Sequence, residues 1–173
     1  MSSMSEPVLT EPELGDLGWI VARHGEVQAA EQGWDVSFEA LIARIVADYG
    51  SNHDPRTERL WIARVDGARA GCVACVAGDH PDTAKLRILY VDPPARGRGL
   101  GRRLVDECIA FARGTGYQRL ELWTISRLTT ARRIYADAGF AVVARESGRY
   151  WGQSLTGETW SLDLSGPAER AAG

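Results

Sequence analysis

Apolar positions along the chain follow two repeats, one near 3.6 residues and one of 2, in alternating blocks. Phe38, Leu41, Ile42, Ile45, Val46 and Tyr49 fall at i, i+3, i+4, i+7, i+8 and i+11, which predicts a helix with one apolar stripe, capped by Asp35 or Ser37. Leu14 to Glu31 is also compatible with a helix, although Gly15, Gly18 and Gly25 interrupt it, each at a cost of roughly 1 kcal/mol in a helix interior. LWIARV and the run from Arg69 to Ala77 read as two antiparallel strands, joined by Asp66-Gly67, a pair that tolerates the positive φ angles of a tight hairpin. KLRILYV predicts a third strand, stopped by Asp92-Pro93-Pro94, because proline removes a ladder donor and restricts the residue before it.

Leu100, Leu104, Val105, Cys108, Ile109 and Phe111 or Ala112 form another helical stripe, ended by Gly114-Thr115-Gly116. RLELW alternates as a strand, Thr129 to Ala138 reads as a helix closed by Gly139, and FAVVAR and ETWSLDL supply two final strands. The fold class is α/β, with a mixed, mostly antiparallel sheet flanked by helices. The polar or small-residue stretches 1–11 and 165–173 show no periodicity and predict flexible tails around one domain over 12–164.

With 173 residues, 45% of them hydrophobic, the chain can bury one real core and has little room for a second, so a single active site is sought. The balance of 20 Lys and Arg against 23 Asp and Glu gives a formal charge of -3, which argues against DNA or an anionic membrane as partner and requires any anion site to be local. No apolar run of membrane-spanning length and no signal-peptide pattern occurs in the sequence, so the expected location is the cytoplasm. Cys72 and Cys75 form a CxxC, but AGCVACVAG reads as a buried strand whose positions three apart face opposite sides, so packing rather than metal or redox chemistry is expected.

The segment between the third strand and the next helix concentrates chemistry. Glycines at 97, 99 and 101 let the backbone turn and approach a ligand, while Arg96, Arg98, Arg102 and Arg103 add positive charge at a helix N-terminus that already favours anions. The pattern is neither GxGxxG nor GxxxxGK[ST], so the dinucleotide and P-loop motifs do not apply.

LYVDPPARGRGLG resembles the signature of the GNAT superfamily of acyltransferases, R/Q-x-x-G-x-G/A after a strand that ends at proline, with Arg96, Gly99 and Gly101 in its defining positions. ARRIYADAGF is similar to the same family's A-x-x-x-Y-x-x-x-G-F element, so the resemblance covers about Lys85 to Phe140. GDLGWIVARHGE and GETWSLDL further resemble the acetyltransferase half of bacterial MarR/GNAT fusion proteins. The resemblance implies a splayed strand and a pyrophosphate-binding loop, with acetyl-CoA as donor substrate and no metal. Arg96, Gly97, Arg98, Gly99, Leu100, Gly101 and Arg102 are then expected to hold the pyrophosphate, and Tyr90 and Val91 to meet the pantetheine and thioester. A backbone N–H near Val91, splayed by a β-bulge there, would polarise the thioester carbonyl.

Amine acylation needs a deprotonated amine and a protonated or stabilised leaving thiolate. By resemblance, Tyr135 is the acid that donates to the CoA sulfur. A glutamate base used by many relatives is replaced here by Lys85-Leu86-Arg87, leaving His24, Glu31, Asp92 and Glu121 as candidates, of which only His24 has an ordinary pKa near neutrality. Arg87 can present a bidentate fork to a carboxylate, and with His24, Trp123 and Trp151 it is expected to bind the acceptor, a small-molecule amine such as an amino acid. Gln28, Gln32, Ile125 and Gln153 depart from the fusion-protein relatives in segments expected to wall that pocket. Two alternatives remain open: acyl transfer from an aminoacyl-tRNA donor, and a non-catalytic ligand-sensing domain. A homodimer is expected only by analogy with the family.

Overall fold

In the computed structural model, which describes residues 5–166, the chain begins with β1 (Val8–Thr10), then α1 (Asp16–Arg23), a π-helical segment (His24–Ala29), α2 (Ala30–Gln32) and α3 (Val36–Asn52). There follow β2 (Arg59–Val65), β3 (Ala68–Ala77), β4 (Thr83–Val91), a 3-10 turn (Pro93–Ala95) and α4 (Leu100–Gly114). β5 (Arg119–Ile125), α5 (Thr129–Asp137), β6 (Ala141–Tyr150) and β7 (Gln153–Asp163) complete the domain. The strands make one seven-stranded sheet in the order β1-β2-β3-β4-β5-β7-β6. Every neighbouring pair is antiparallel except β4 and β5.

Local chemistry accounts for most boundaries. Asp35 caps α3 by accepting from the Ser37 backbone N–H at 3.0 Å. Asp66 and Gly67 both take positive φ, 51° and 81°, as a two-residue hairpin turn requires. The glycine-interrupted first helix forms, but its middle widens into the π-helical segment at His24–Ala29, and Gly33 at φ 73° ends it.

The sheet carries a core on each face. On one side α1 and α3 bury Ile20, Phe38, Ile42 and Val46 against Leu60, Ile62, Cys72 and Tyr90. On the other, Leu104, Val105 and Cys108 of α4 meet Val73, Cys75, Leu86 and Leu120. Cys72 and Cys75 thus face opposite cores and, with Cys108, are free buried thiols.

Two boundaries differ from the periodicity reading. The predicted tail over 1–11 contains β1, an edge strand pairing Val8 with Arg64 and Thr10 with Ile62, too short to display alternation. The β6–β7 hairpin is longer than FAVVAR and ETWSLDL suggested, because β6 is exposed along most of its length and shows no one-sided pattern. Of the predicted tail 165–173, the part from residue 167 lies outside the described residues.

One buried carboxylate ties α1 to the sheet. Asp16 is fully buried and accepts from Arg64 of β2 at 2.5 Å, Arg69 of β3 at 2.7 Å and the Glu13 backbone N–H at 2.7 Å. Burial raises its pKa, but these donors outweigh burial and hold the carboxyl below its ordinary value. Asp16→Ala would leave two guanidinium groups without their partner, and chemical denaturation should show a loss of about 3 kcal/mol. Glu11→Ala, which removes an exposed pair with Arg59, should cost under about 1 kcal/mol.

Candidate active site

β4 and β5 pair in parallel only from Thr83↔Arg119 to Lys85↔Glu121, and beyond that the strands separate. The separation coincides with a β-bulge. Cys72 pairs with Tyr90 and Ala74 with Arg87, so Val73 opposes both Ile88 and Leu89, and Ile88 adopts φ 53°. The bulge therefore lies at Ile88 and Leu89, upstream of the Val91 position expected from sequence. Gly71 explains the shift: a Cβ there would lie 2.5 Å from the Tyr90 carbonyl oxygen, so the glycine keeps the ladder at Val91 close. Asp92 N–H donates to Ala70 C=O at 2.8 Å, which by ladder alternation turns the N–H and C=O of Val91 away from β3, toward the gap.

The glycine loop leads from this gap into α4. Gly97 and Gly99 adopt φ 80° and 78°, and Gly99 caps α4 with no side chain bonded to the helix end. The first helical bond runs from Arg103 N–H to Gly99 C=O, so the amides of Leu100, Gly101 and Arg102 have no partner within the helix, an arrangement suited to an anion. The arginines contribute less free charge than their number suggests. Arg96 pairs with Glu31 at 3.0 Å, Arg102 with Asp106 at 2.9 Å and Arg103 with Glu6 at 3.3 Å; Arg98 makes no ion pair among the described residues.

A cleft of about 450 Å³ passes through the sheet where β4 and β5 part. On the α5 side Ala131 and Tyr135 line it; on the α3 side His24, Trp34, Phe38, Arg87, Trp123 and Trp151 do. Four residues assigned from sequence to the acceptor and the one assigned as acid thus share a single cavity. Tyr135 is buried, and burial raises its pKa, keeping the phenol protonated. Its hydroxyl makes no hydrogen bond to another described side chain or backbone group. Arg87 is half-buried and forms no ion pair among the described residues; burial lowers its pKa, while Asp79 and Asp48 at longer range oppose that.

Two sequence expectations are corrected here. The Tyr90 ring does not line the cleft: it is buried against His24 at 5.0 Å and Trp19 at 5.9 Å between centroids, and its hydroxyl donates to Asp92 at 2.6 Å. Asp92 also accepts from Arg23, so Tyr90 and Asp92 anchor α1 to the end of β4. His24 is not an ordinary histidine, since burial depresses its pKa to about 4. Its Nδ1 lies 2.7 Å from the Ile20 carbonyl, which only accepts, so Nδ1 carries the hydrogen and Nε2 the lone pair.

Residues 22–140 match the profile of the Acetyltransferase (GNAT) family, more than half of the chain. The chain belongs to the GNAT family. It is 39% identical over 87 residues to a mycothiol acetyltransferase of Beutenbergia cavernae, covering 49% of this chain and 29% of that protein. It is 33% identical over 114 residues to the N-acetyltransferase C1271.07c of Schizosaccharomyces pombe, covering 64% of this chain and 68% of that one. The structure of yncA from Salmonella typhimurium, solved with its cofactor acetyl-CoA, superposes with a TM-score of 0.72 at 20% identity, over 98% of this chain and 100% of the other, and shares its fold. This chain thus spans less than a third of the first of these relatives.

Several residues of this GNAT domain that shape the cleft were not singled out from sequence. The α3 stripe Phe38, Leu41, Ile42 and Ile45, read from sequence only as core, forms its apolar wall, and Ile88 contributes to the bulge. Glu158, 1% exposed, takes Arg132 of α5 at 2.8 Å, Arg145 of β6 at 3.0 Å and Trp160 Nε1 at 3.3 Å, and so fixes the helix that carries Tyr135. Alternation was the available signal: Glu158 shares a strand face with the buried Trp160. No helix of the described residues is long and apolar enough to cross a membrane.

His24 also predicts a pH dependence. Its folded pKa, about 4, lies below the ordinary 6.5, so between these values the unfolded chain binds the extra proton. Its contribution to stability is full above pH 6.5 and is lost as pH falls toward 4, on the order of 3 kcal/mol at the limit. In denaturant titrations from pH 4 to 7, His24→Gln should flatten the stability profile in that window relative to the wild type.

Proposed function

We propose that this GNAT domain transfers an acetyl group directly from acetyl-CoA to the amine of a small carboxylated acceptor. The observation that carries the reading is a cleft where β4 and β5 part, with the Tyr135 phenol inside it, in a chain whose β4 leads through the glycine loop to a helix start with unbonded amides. The acidic balance of the chain, -3, favours CoA over a charged tRNA as donor. Buried reduced thiols suit a cytoplasmic setting. The likeness of the outer segments to the acetyltransferase half of MarR/GNAT fusions belongs to the same reading.

The pyrophosphate binds the amides of Leu100 to Arg102, and the pantetheine arm follows β4 into the gap. The thioester carbonyl oxygen accepts from the Val91 N–H, a donor aimed where charge builds up as the tetrahedral intermediate forms. The amine, deprotonated by water in the open cleft, attacks the carbonyl carbon from the α3 side. As the C–S bond breaks, the nitrogen gives its surplus proton to water in the cleft, the thiolate takes the proton of Tyr135 from the α5 side, and solvent reprotonates the phenolate. Arg87 holds the acceptor carboxylate. His24, too weak a base at its depressed pKa to take the proton outright, orders water through Nε2.

Tyr135→Phe should lower kcat by roughly 10²-fold or more and leave the acetyl-CoA Kd unchanged. Stopped-flow thiol release and calorimetric titration of the same preparation check both halves. Unchanged turnover would remove Tyr135 from the acid role.

A further inference from the structure

The α3 side of the cleft is walled by aromatic rings that touch one another. Trp34 lies 4.5 Å from Trp151 and 4.8 Å from Phe38 between centroids, Trp151 lies 4.9 Å from Phe38, and Trp123 lies 6.1 Å from Trp151. All four rings line the cavity. Two of them are held there by backbone conformations or neighbours that regular strand and turn sequences avoid.

Trp151 occupies the first position of the β6–β7 turn at φ 50°, followed by Gly152 at φ 87°, a turn built for Asn, Asp or Gly. A bulky residue at positive φ is strained, and such strain persists where a side chain must be aimed. Trp123 lies flat across β7 because residue 157 is glycine: a Cβ there would come within 2.4 Å of the Trp123 ring. That ring remains 39% exposed, so its position is not accounted for by burial. Across the cavity, Arg87 is a half-buried cation with no ion-pair partner among the described residues, while its neighbour Lys85 is engaged by Asp79.

Resting on the acetyl-transfer reading above, we propose that the acceptor is an α-amino acid with an aromatic side chain, its carboxylate on Arg87 and its ring among Trp34, Phe38, Trp123 and Trp151. Aromatic rings prefer offset or edge-to-face contact with other rings at the spacings this wall offers. An aliphatic or acidic side chain would leave the open faces of Trp123 and Trp151 uncovered and gain little. The amine of such an acceptor lies between carboxylate and side chain, which directs it to the parting of the strands.

Calorimetric titration of CoA-saturated protein tests the chamber without requiring turnover, and thiol release with acetyl-CoA tests transfer in parallel. L-Phenylalanine and L-tryptophan should bind at least about tenfold tighter than L-alanine and L-aspartate. Trp151→Asn, which suits the turn and should leave CoA affinity unchanged, should weaken L-phenylalanine binding by about tenfold or more. Arg87→Gln should weaken L-phenylalanine by a similar factor and leave phenethylamine, which lacks the carboxylate, unaffected. Equal affinity for alanine or aspartate, or L-phenylalanine binding indifferent to Trp151→Asn, would overturn the proposal. Aromatic binding without thiol release would uphold the chamber and overturn acetyl transfer; thiol release with non-aromatic amines alone would do the reverse.

Discussion

The separation of β4 from β5 is the constraint on which the rest of the structure depends. A parallel pair inside an otherwise antiparallel sheet stays in register for three residue pairs, and the bulge at Ile88 and Leu89 then redirects β4. Had the pairing continued, the N–H of Val91 would serve a ladder and no passage would join the two faces of the sheet. Because it stops, one cleft is lined by Tyr135 of α5 on one face of the sheet and by Phe38 of α3 on the other, which is what the proposed transfer requires. The positive φ at Ile88, in a β-branched residue that disfavours it, marks where the backbone is strained to achieve this.

An open sheet needs its arms held, and two buried carboxylates do so. Asp16 binds α1 to the β2–β3 hairpin through two arginines, and Glu158 binds α5 and β6 through two more. In each case burial alone would raise the carboxyl pKa; the Glu13 N–H with Arg69 and Arg64 at Asp16, and Arg132 and Arg145 with Trp160 at Glu158, more than reverse it. Smaller polar ties close the α3 side: Arg96 to Glu31 from the loop, and Arg127 to Gln32 and Gln153 from the end of β5. The segment from His24 to Gln32 therefore spans both arms of the gap, and its π-helical turns place His24 and Gln28 on the cleft wall.

Much of this was legible because the signals are local. The apolar stripe of α3, the Asp66-Gly67 turn, the proline stop after β4 and the glycines before α4 are each decided by neighbours in sequence. The surroundings of the Tyr90 ring and of His24 were not legible because burial decides them, and burial comes from α1 folding back over β4, a contact about 70 residues apart in sequence as the Arg23–Asp92 bond shows. Glu158 was passed over for the same reason, since its partners lie on α5 and β6. The arginine loop looked more strongly charged than it is because the carboxylates that pair with Arg96 and Arg103 come from distant segments.

The positions where the sequence departs from good local practice lie where the cleft needs them. A tryptophan in a turn that asks for asparagine, a glycine in the middle of β7 and an isoleucine at positive φ all weaken the elements that contain them. Burial repays them only in part: Trp123, which Gly157 makes room for, stays partly exposed, Trp151 is only half-buried, and Ile88 faces the cavity. All three line or clear the α3 side of the same cleft. On the proposed acetyl-transfer reading, this strain falls on the half of the site that must discriminate among acceptors. The donor half would rely on the backbone amides of the glycine loop, whereas selecting one amine among many requires rings and charges set in fixed places.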